Sequence, residues 1–223
     1  MPDIASNIRE LKKNIPPSVT VIAVSKTKPV ADIMEAYRTG HRDYGENRVQ
    51  ELLTKKAQLP ADIRWHLIGH LQTNKVKFIV PFISLIHSVD SFKLLKMIGL
   101  EAEKVGRMVS CLLQFHIADE ETKFGFSLAE AVEMIKSPEF SALQNIQVCG
   151  VMGMATFTDD EKQIRMEFNK LKDYFLRLKN EFFSEDEAFR EISMGMSGDY
   201  RIAIEEGSTM IRTGSVIFGN RIK

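Results

Sequence analysis

The chain has 223 residues, 44% of them apolar, and its 30 basic side chains balance 30 acidic ones for a formal net charge of zero. That length suits one domain with a large core, expected to span 1–223, and zero net charge leaves no field to gather a polyanion, which argues against nucleic acid as a partner. Asp3, Arg9 and Glu10 break up the N-terminus, so no signal peptide is read there, and no apolar run nears the ~20 residues of a membrane helix; a soluble, cytoplasmic protein that engages no membrane is expected.

Ile4, Ile8, Leu11 and Ile15 fall on one face of an N-terminal helix. The first β-branched run, 19–25, follows and ends in Lys26-Thr27-Lys28-Pro29. A lysine directly after an apolar strand either snorkels to solvent or, half-buried, disfavours its ammonium and becomes a nucleophilic amine. Lys28, beside Pro29, reads as solvent-facing. The second run, 41–45, exits into Glu46-Asn47-Arg48, where Asn47 is either a helix N-cap or a hydrogen-bonding group for a ligand. Val49, Leu52 and Leu53 continue at helical spacing.

The third run, 64–69, holds His66 within the strand pattern and His70 just after it. His66 reads as a core histidine, although either ring could do acid–base work. The fourth run, 85–89, leads to Ser91, a cap for a helix carrying Leu94, Leu95 and Ile98 and closed by Gly106. The fifth, 109–117, contains His116 and precedes Lys123, which either closes a mouth or sits exposed in a loop. Ser127 with Glu130, and Thr158 with Glu161 after the sixth run (147–155), have capping-box spacing. Ile164, Phe168, Leu171, Phe175 and Leu178 then form one stripe, and Phe182, Phe183 and Phe189 among acidic residues are either core or a protein-docking surface.

The seventh run, 191–195, ends in Met196-Ser197-Gly198-Asp199 ahead of a short helix, and the eighth, 210–218, contains Arg212-Thr213-Gly214-Ser215. Ser197 and Gly214 are either an ordinary cap and a barrel-corner glycine or a hydroxyl and a close-approaching backbone for a phosphate. Cys111 and Cys149 lie in apolar runs without paired spacing, so they read as inert thiols, and no metal site is expected. Eight runs alternating with helices imply right-handed βαβ units closed into a (β/α)8 TIM barrel, whose chemistry collects where the strands end. An open doubly wound sheet is the alternative, without the glycine-rich turn of a dinucleotide site.

Six stretches, in order along the chain, carry a resemblance. They are Ala23-Val-Ser-Lys-Thr-Lys-Pro29, Tyr44-Gly-Glu-Asn-Arg-Val-Gln-Glu51 and Trp65-His-Leu-Ile-Gly-His-Leu-Gln-Thr-Asn-Lys75, then Gly150-Val-Met-Gly-Met-Ala-Thr156, Ser193-Met-Gly-Met-Ser-Gly-Asp199 and Arg212-Thr-Gly-Ser-Val-Ile-Phe-Gly219. Together they resemble the pyridoxal 5′-phosphate (PLP) homeostasis family, whose barrel is of the alanine racemase N-terminal-domain type. The resemblance implies that PLP is the cofactor and that Lys26 forms its Schiff base. It further implies that Ser197 and the amides of Gly214 and Ser215 bind the phosphate, that Arg212 faces the pyridine nitrogen and that Asn47 lies near the ring. His116 departs from the pattern, standing where an asparagine is expected.

An arginine has only donors to offer a ring nitrogen, so the ring stays neutral and stabilises carbanions poorly. With Lys223 following the eighth run so closely, no second catalytic domain is expected. The reading is a carrier or buffer of PLP with no catalytic residues assigned, monomeric, with PLP-dependent apoenzymes as candidate partners. The alternative is an amino-acid racemase using His66, His70 or His116.

Overall fold

The structure, a computed structural model, describes residues 3–119 and 124–219. Lys123 therefore lies outside the described residues. Eight parallel strands close in chain order: β1 (Thr20–Val24), β2 (Asp43–Glu46), β3 (Arg64–Leu67), β4 (Leu85–Val89), β5 (Val109–Gln114), β6 (Ile146–Met152), β7 (Glu191–Ser193) and β8 (Met210–Thr213). The ring shuts where β8 pairs with β1, Arg212 opposite Ile22 and Thr213 opposite Ala23. This is the expected barrel, and the open sheet is excluded.

Helices cover the outside. α1 (Ile4–Lys13) precedes the barrel, and α2 (Val30–Arg38), α3 (Val49–Lys56), α4 (Val76–Ile79) and α5 (Phe92–Lys104) follow the first four strands. α6 (Leu128–Lys136) and α7 (Pro138–Ser141) follow β5, α8 (Glu161–Phe182) follows β6, α9 (Tyr200–Glu205) follows β7, and α10 (Ser215–Phe218) follows β8. Ser91 caps α5 through the Leu94 amide, and Ser127 with Glu130 makes the expected capping box at α6.

Side chains on successive strand residues point to opposite faces. One set joins the large cluster between sheet and helices, including Ile86, Leu113, Val151 and Ile211. The alternate set fills the lumen, where Leu85, Leu112, Met152 and Met210 form a separate apolar cluster.

Several local expectations are corrected. The eighth run does not stay extended to residue 218: Gly214 turns the chain, and its carbonyl accepts from the amides of Ile217 (3.0 Å) and Phe218 (2.8 Å) to start α10. Ile217 and Phe218 remain buried, and a short buried helix and a buried strand have the same apolar signature. The Asn7 side chain of α1 donates to the Ile217 carbonyl at 2.9 Å, so the N-terminal helix docks here.

The cap of α8 is Asp160, whose side chain accepts from the amides of Lys162 and Gln163, while Thr158 only accepts from the Asp160 amide. Acceptors this close in sequence compete for the same amides, and the nearer carboxylate wins. Of the three phenylalanines, Phe189 is fully buried and stacks on Phe183 (4.3 Å) and Phe175 (5.2 Å), while Phe182 and Phe183 are half-buried against the core. Cys111 is buried and Cys149 half-buried, and both are free thiols. Among the described residues no helix is long and apolar enough to cross a membrane.

Candidate functional site

A cavity of about 510 Å³ opens at the C-terminal ends of the strands, within the size range of small-molecule sites. Its walls come from the exits of β1, β2, β3, β6, β7 and β8, elements far apart in sequence. All six residues singled out from the sequence line it: Lys26, Asn47, Ser197, Arg212, Gly214 and Ser215.

Each is placed by its own element. Lys26 is half-buried, one residue beyond the buried Ser25. Ser25 donates its hydroxyl to Glu46 Oε1 at 2.6 Å, and Lys55 Nζ donates to the Ser25 carbonyl at 2.7 Å. On the other side Thr27 has φ of +64°, an uncommon conformation for a β-branched residue, and its amide donates to Glu51 Oε1 at 2.6 Å. Lys28 is not solvent-facing as expected. Its Nζ donates to the carbonyls of Phe218 (3.0 Å) and Gly219 (3.2 Å), because the end of α10 leaves acceptors beside it.

Asn47 does not cap α3; that position is Arg48, with no side-chain bond. Its Oδ1 is instead buried without a partner, as is Thr213 Oγ1 next to Gly214. Buried polar atoms in native proteins are nearly always paired, so the Asn47 acceptor marks where a ligand would complete the wall of the cavity it lines. Gly69 makes room for Asn47, since a Cβ there would lie 2.5 Å from the Asn47 carbonyl oxygen. Ser197 and Gly214 meet directly, the Gly214 amide donating to Ser197 Oγ at 3.1 Å, which sets a hydroxyl beside a backbone donor at one end of the cavity.

Arg212 is only 4% exposed, on the lumen side of β8. It donates Nη1 to Ser193 Oγ (2.6 Å) and Nη2 to the Gly153 carbonyl (3.0 Å). Burial lowers its pKa to about 10, while the nearby Asp199 acts the other way.

Sequence reasoning missed the β6 exit, where Met154, Thr156 and Asp159 line the cavity. Thr156 is pinned by the buried Glu167 of α8, which accepts its amide at 2.6 Å and its hydroxyl at 2.7 Å. A polar Thr156-Phe157-Thr158-Asp159 run directly after an apolar strand was the available signal. Also missed was His87, fully buried in β4, whose Nδ1 meets Ser193 Oγ at 2.9 Å and whose Nε2 meets His66 Nδ1 at 3.0 Å. The reading of His66 as a satisfied core histidine agrees with its 5% exposure. His70 is instead on an exposed loop, against Asp90 at 2.8 Å. His116 lies beyond the end of β5, its amide donating to the Phe126 carbonyl at 3.1 Å. Among the described residues none of these histidines lines the cavity.

At the opposite end of the barrel His41 is 3% exposed, and burial, followed by the charge of Lys12, lowers its pKa from 6.5 to about 4. The unfolded chain therefore binds the proton first, so stability from this group is complete above 6.5 and falls as pH drops towards 4. Between pH 7 and pH 5 it is expected to cost about 2 kcal/mol. Urea unfolding of wild type and His41→Gln at both pH values checks this, and equal pH dependence in the two proteins would remove His41 from the account.

The parallel barrel, its N-terminal helix and a strand-end lysine sharing one cavity with a hydroxyl-and-amide pair define a recognisable class. Residues 1–221 match the model of the family described as alanine racemase, N-terminal domain, and the chain belongs to that family. Within it, the chain is 37% identical over 215 residues to the pyridoxal phosphate homeostasis protein of Synechocystis sp., covering 96% of each. It is 38% identical over 203 residues to the protein of that name from Aquifex aeolicus, covering 90% of this chain and 86% of the relative. PipY of Synechococcus elongatus, solved with PLP bound, superposes with a TM-score of 0.88 at 37% identity, over 97% of this chain and 100% of PipY. The alanine racemase of Clostridium difficile shares the fold alone, with a TM-score of 0.79 at 13% identity and 57% of its length spanned.

Proposed function

We propose that this chain, as one unit over 1–223, binds PLP and serves its homeostasis by holding and releasing the cofactor with little or no turnover. One observation carries the reading: a single cavity collects the half-buried Lys26, the Ser197–Gly214 pair and the buried Arg212, with an unpartnered acceptor on Asn47 in its wall. PipY holds PLP on the same fold at 37% identity. Bound there, PLP supplies an aldehyde that reacts with amines and a ring that can withdraw electrons.

In this reading Lys26 brings its amine to the aldehyde. Ser197, with the amides of Gly214 and Ser215, takes the phosphate. Asn47 lies beside the ring, and Arg212 faces the ring nitrogen with donors alone, which leaves that nitrogen unprotonated and the ring a weak electron sink. That weakness, together with the absence of a histidine base among the described residues lining the cavity, supports a holding role. The racemase alternative drew on His66, His70 and His116, and none of these is among the described residues that line the cavity. The protein would work as a monomer in the cytoplasm, with PLP-dependent apoenzymes as recipients.

Titrating purified protein with PLP should produce a saturable visible absorbance band, and borohydride should fix the cofactor on the Lys26 peptide. Absence of both sinks the proposal. Solvent-deuterium exchange at the α-carbon across a panel of amino acids should be undetectable; brisk exchange would make the protein an enzyme.

A further inference from the structure

A row of polar side chains crosses the lumen beneath the cavity. It begins at Arg64, whose Nε and Nη2 clamp the two oxygens of Asp43 at 2.6 and 2.5 Å. Asp43 Oδ1 meets His66 Nε2 at 3.3 Å, His66 Nδ1 meets His87 Nε2 at 3.0 Å, and His87 Nδ1 meets Ser193 Oγ at 2.9 Å. Ser193 Oγ accepts Arg212 Nη1 at 2.6 Å. Five strands contribute: β2, β3, β4, β7 and β8.

We propose that Ser193 and His87 are positioning residues that hold the Arg212 guanidinium in one orientation at the cavity floor, through a one-way hydrogen-bonded chain anchored on Asp43. The inference rests on the reading of the cavity as a PLP site.

With His66 taken as a neutral imidazole, the direction of the hydrogen-bonded chain follows by elimination. Asp43, clamped by Arg64 and held well below the usual carboxylate range by its bonds to His66 and Arg64 despite burial, can only accept. His66 must therefore carry its proton on Nε2, and as a neutral imidazole it offers Nδ1 as an acceptor. His87 fills that acceptor from Nε2–H, which leaves His87 Nδ1 to accept the Ser193 hydroxyl proton. Ser193 then has lone pairs free for Arg212 Nη1–H. Every donor then finds an acceptor, and burial above all pushes His87 well away from protonation.

The other end explains why such a device suits this site. Among the described residues Arg212 has no carboxylate in ion-pair contact; its two partners are a hydroxyl and a carbonyl. A guanidinium held by neutral groups keeps its charge and its remaining N–H donors for whatever enters the cavity. A carboxylate in place of Ser193 would fix the side chain equally well but neutralise it. Ser193 alone could not hold a direction, because a free hydroxyl rotates; with its proton committed to His87, it presents only lone pairs to Arg212.

The test reads the guanidinium itself. In ¹⁵N-labelled, cofactor-free protein, Arg212 should give separate Nη signals because its rotation is blocked, and Ser193→Ala should merge them. The same variant should bind PLP about tenfold more weakly, or about 1.4 kcal/mol. His87→Ala should behave likewise, and His87→Asn, whose amide oxygen can stand in for Nδ1, should restore the separate signals. Ser208→Ala removes another buried hydroxyl, one bonded to the backbone carbonyls of Ile192, Met194 and Met210, and should leave the Arg212 signals unchanged. Separate Nη signals persisting in both Ser193→Ala and His87→Ala would overturn the inference, whatever happens to PLP. Wild-type protein that binds no PLP would overturn the proposed function instead, and the Arg212 signals then decide the inference by themselves.

Discussion

Lys26→Ala protein is expected to yield no borohydride-stable PLP adduct and to bind the cofactor at least about tenfold more weakly, a loss of about 1.4 kcal/mol or more. The reason lies in how the cavity is divided. Lys26 comes from the β1 exit, whereas the Ser197–Gly214 cradle and Arg212 come from β7 and β8. In the proposed reading, removing the amine takes away the covalent attachment and leaves the phosphate and ring contacts in place, so binding should become weak and reversible. Lys28 also lines the cavity, yet its Nζ is committed to the carbonyls of Phe218 and Gly219 and should not substitute. Mass spectrometry of reduced, digested wild type and variant makes the comparison. An adduct of undiminished yield on Lys28 or any other lysine of the variant would show that Lys26 is not the attachment point.

Lys55→Met should destabilise the fold by about 3–5 kcal/mol at pH 8, the usual cost of stripping one partner from a buried ion pair. Lys55 is buried, and its ammonium is divided among the Ser25 carbonyl, Glu46 Oε1 (2.7 Å) and Glu51 Oε1 (2.6 Å). Glu46 is fully buried, and its Oε2 already lacks a partner, so without Lys55 a carboxylate would face the core alone. Burial pushes the Glu46 pKa up, while its bonds to Lys55 and Ser25 pull it down. In the variant only the upward push and the Ser25 bond remain. A raised carboxyl pKa means the folded state keeps its proton longer, so the deficit should shrink as pH falls towards that pKa. Adding Glu46→Gln should recover part of the loss at pH 8.

The same substitution reaches the site. Ser25 and Thr27 flank Lys26, and Lys55 holds one directly and the other through Glu51. With the φ of +64° at Thr27 less firmly held, Lys26 should attach PLP more slowly. Denaturant unfolding at two pH values, with adduct yield against time, reads both effects; a Lys55→Met protein as stable as wild type at pH 8 would contradict the account.

Much of this molecule was legible in its order of residues. Eight apolar runs spaced by amphipathic stretches imply a parallel barrel, because strand and helix faces leave periodicities that need no tertiary information. Ser91, and Ser127 with Glu130, announced their caps for the same local reason. The reading weakened where two conformations share one pattern. Apolar residues 216–218 serve a buried helical turn as readily as a strand, and Thr158 and Asp160 compete to cap the same helix.

The candidate site divides along the same line. Lys26, Asn47, Ser197 and Gly214 could be suspected from the strand ends they occupy, and the family motifs added Arg212 and Ser215. By itself, then, the sequence determined the strand order, the extra N-terminal helix and which loops would crowd the mouth. Only the tertiary structure decided that Lys28 caps α10, that Asn47 Oδ1 is left over, and that Ser197 meets Gly214. It alone joined His87 to Ser193, residues 106 positions apart, beneath Arg212. Which inward-facing residues touch across the lumen depends on strand tilt, register and closure of the whole ring, and those are properties of eight strands together.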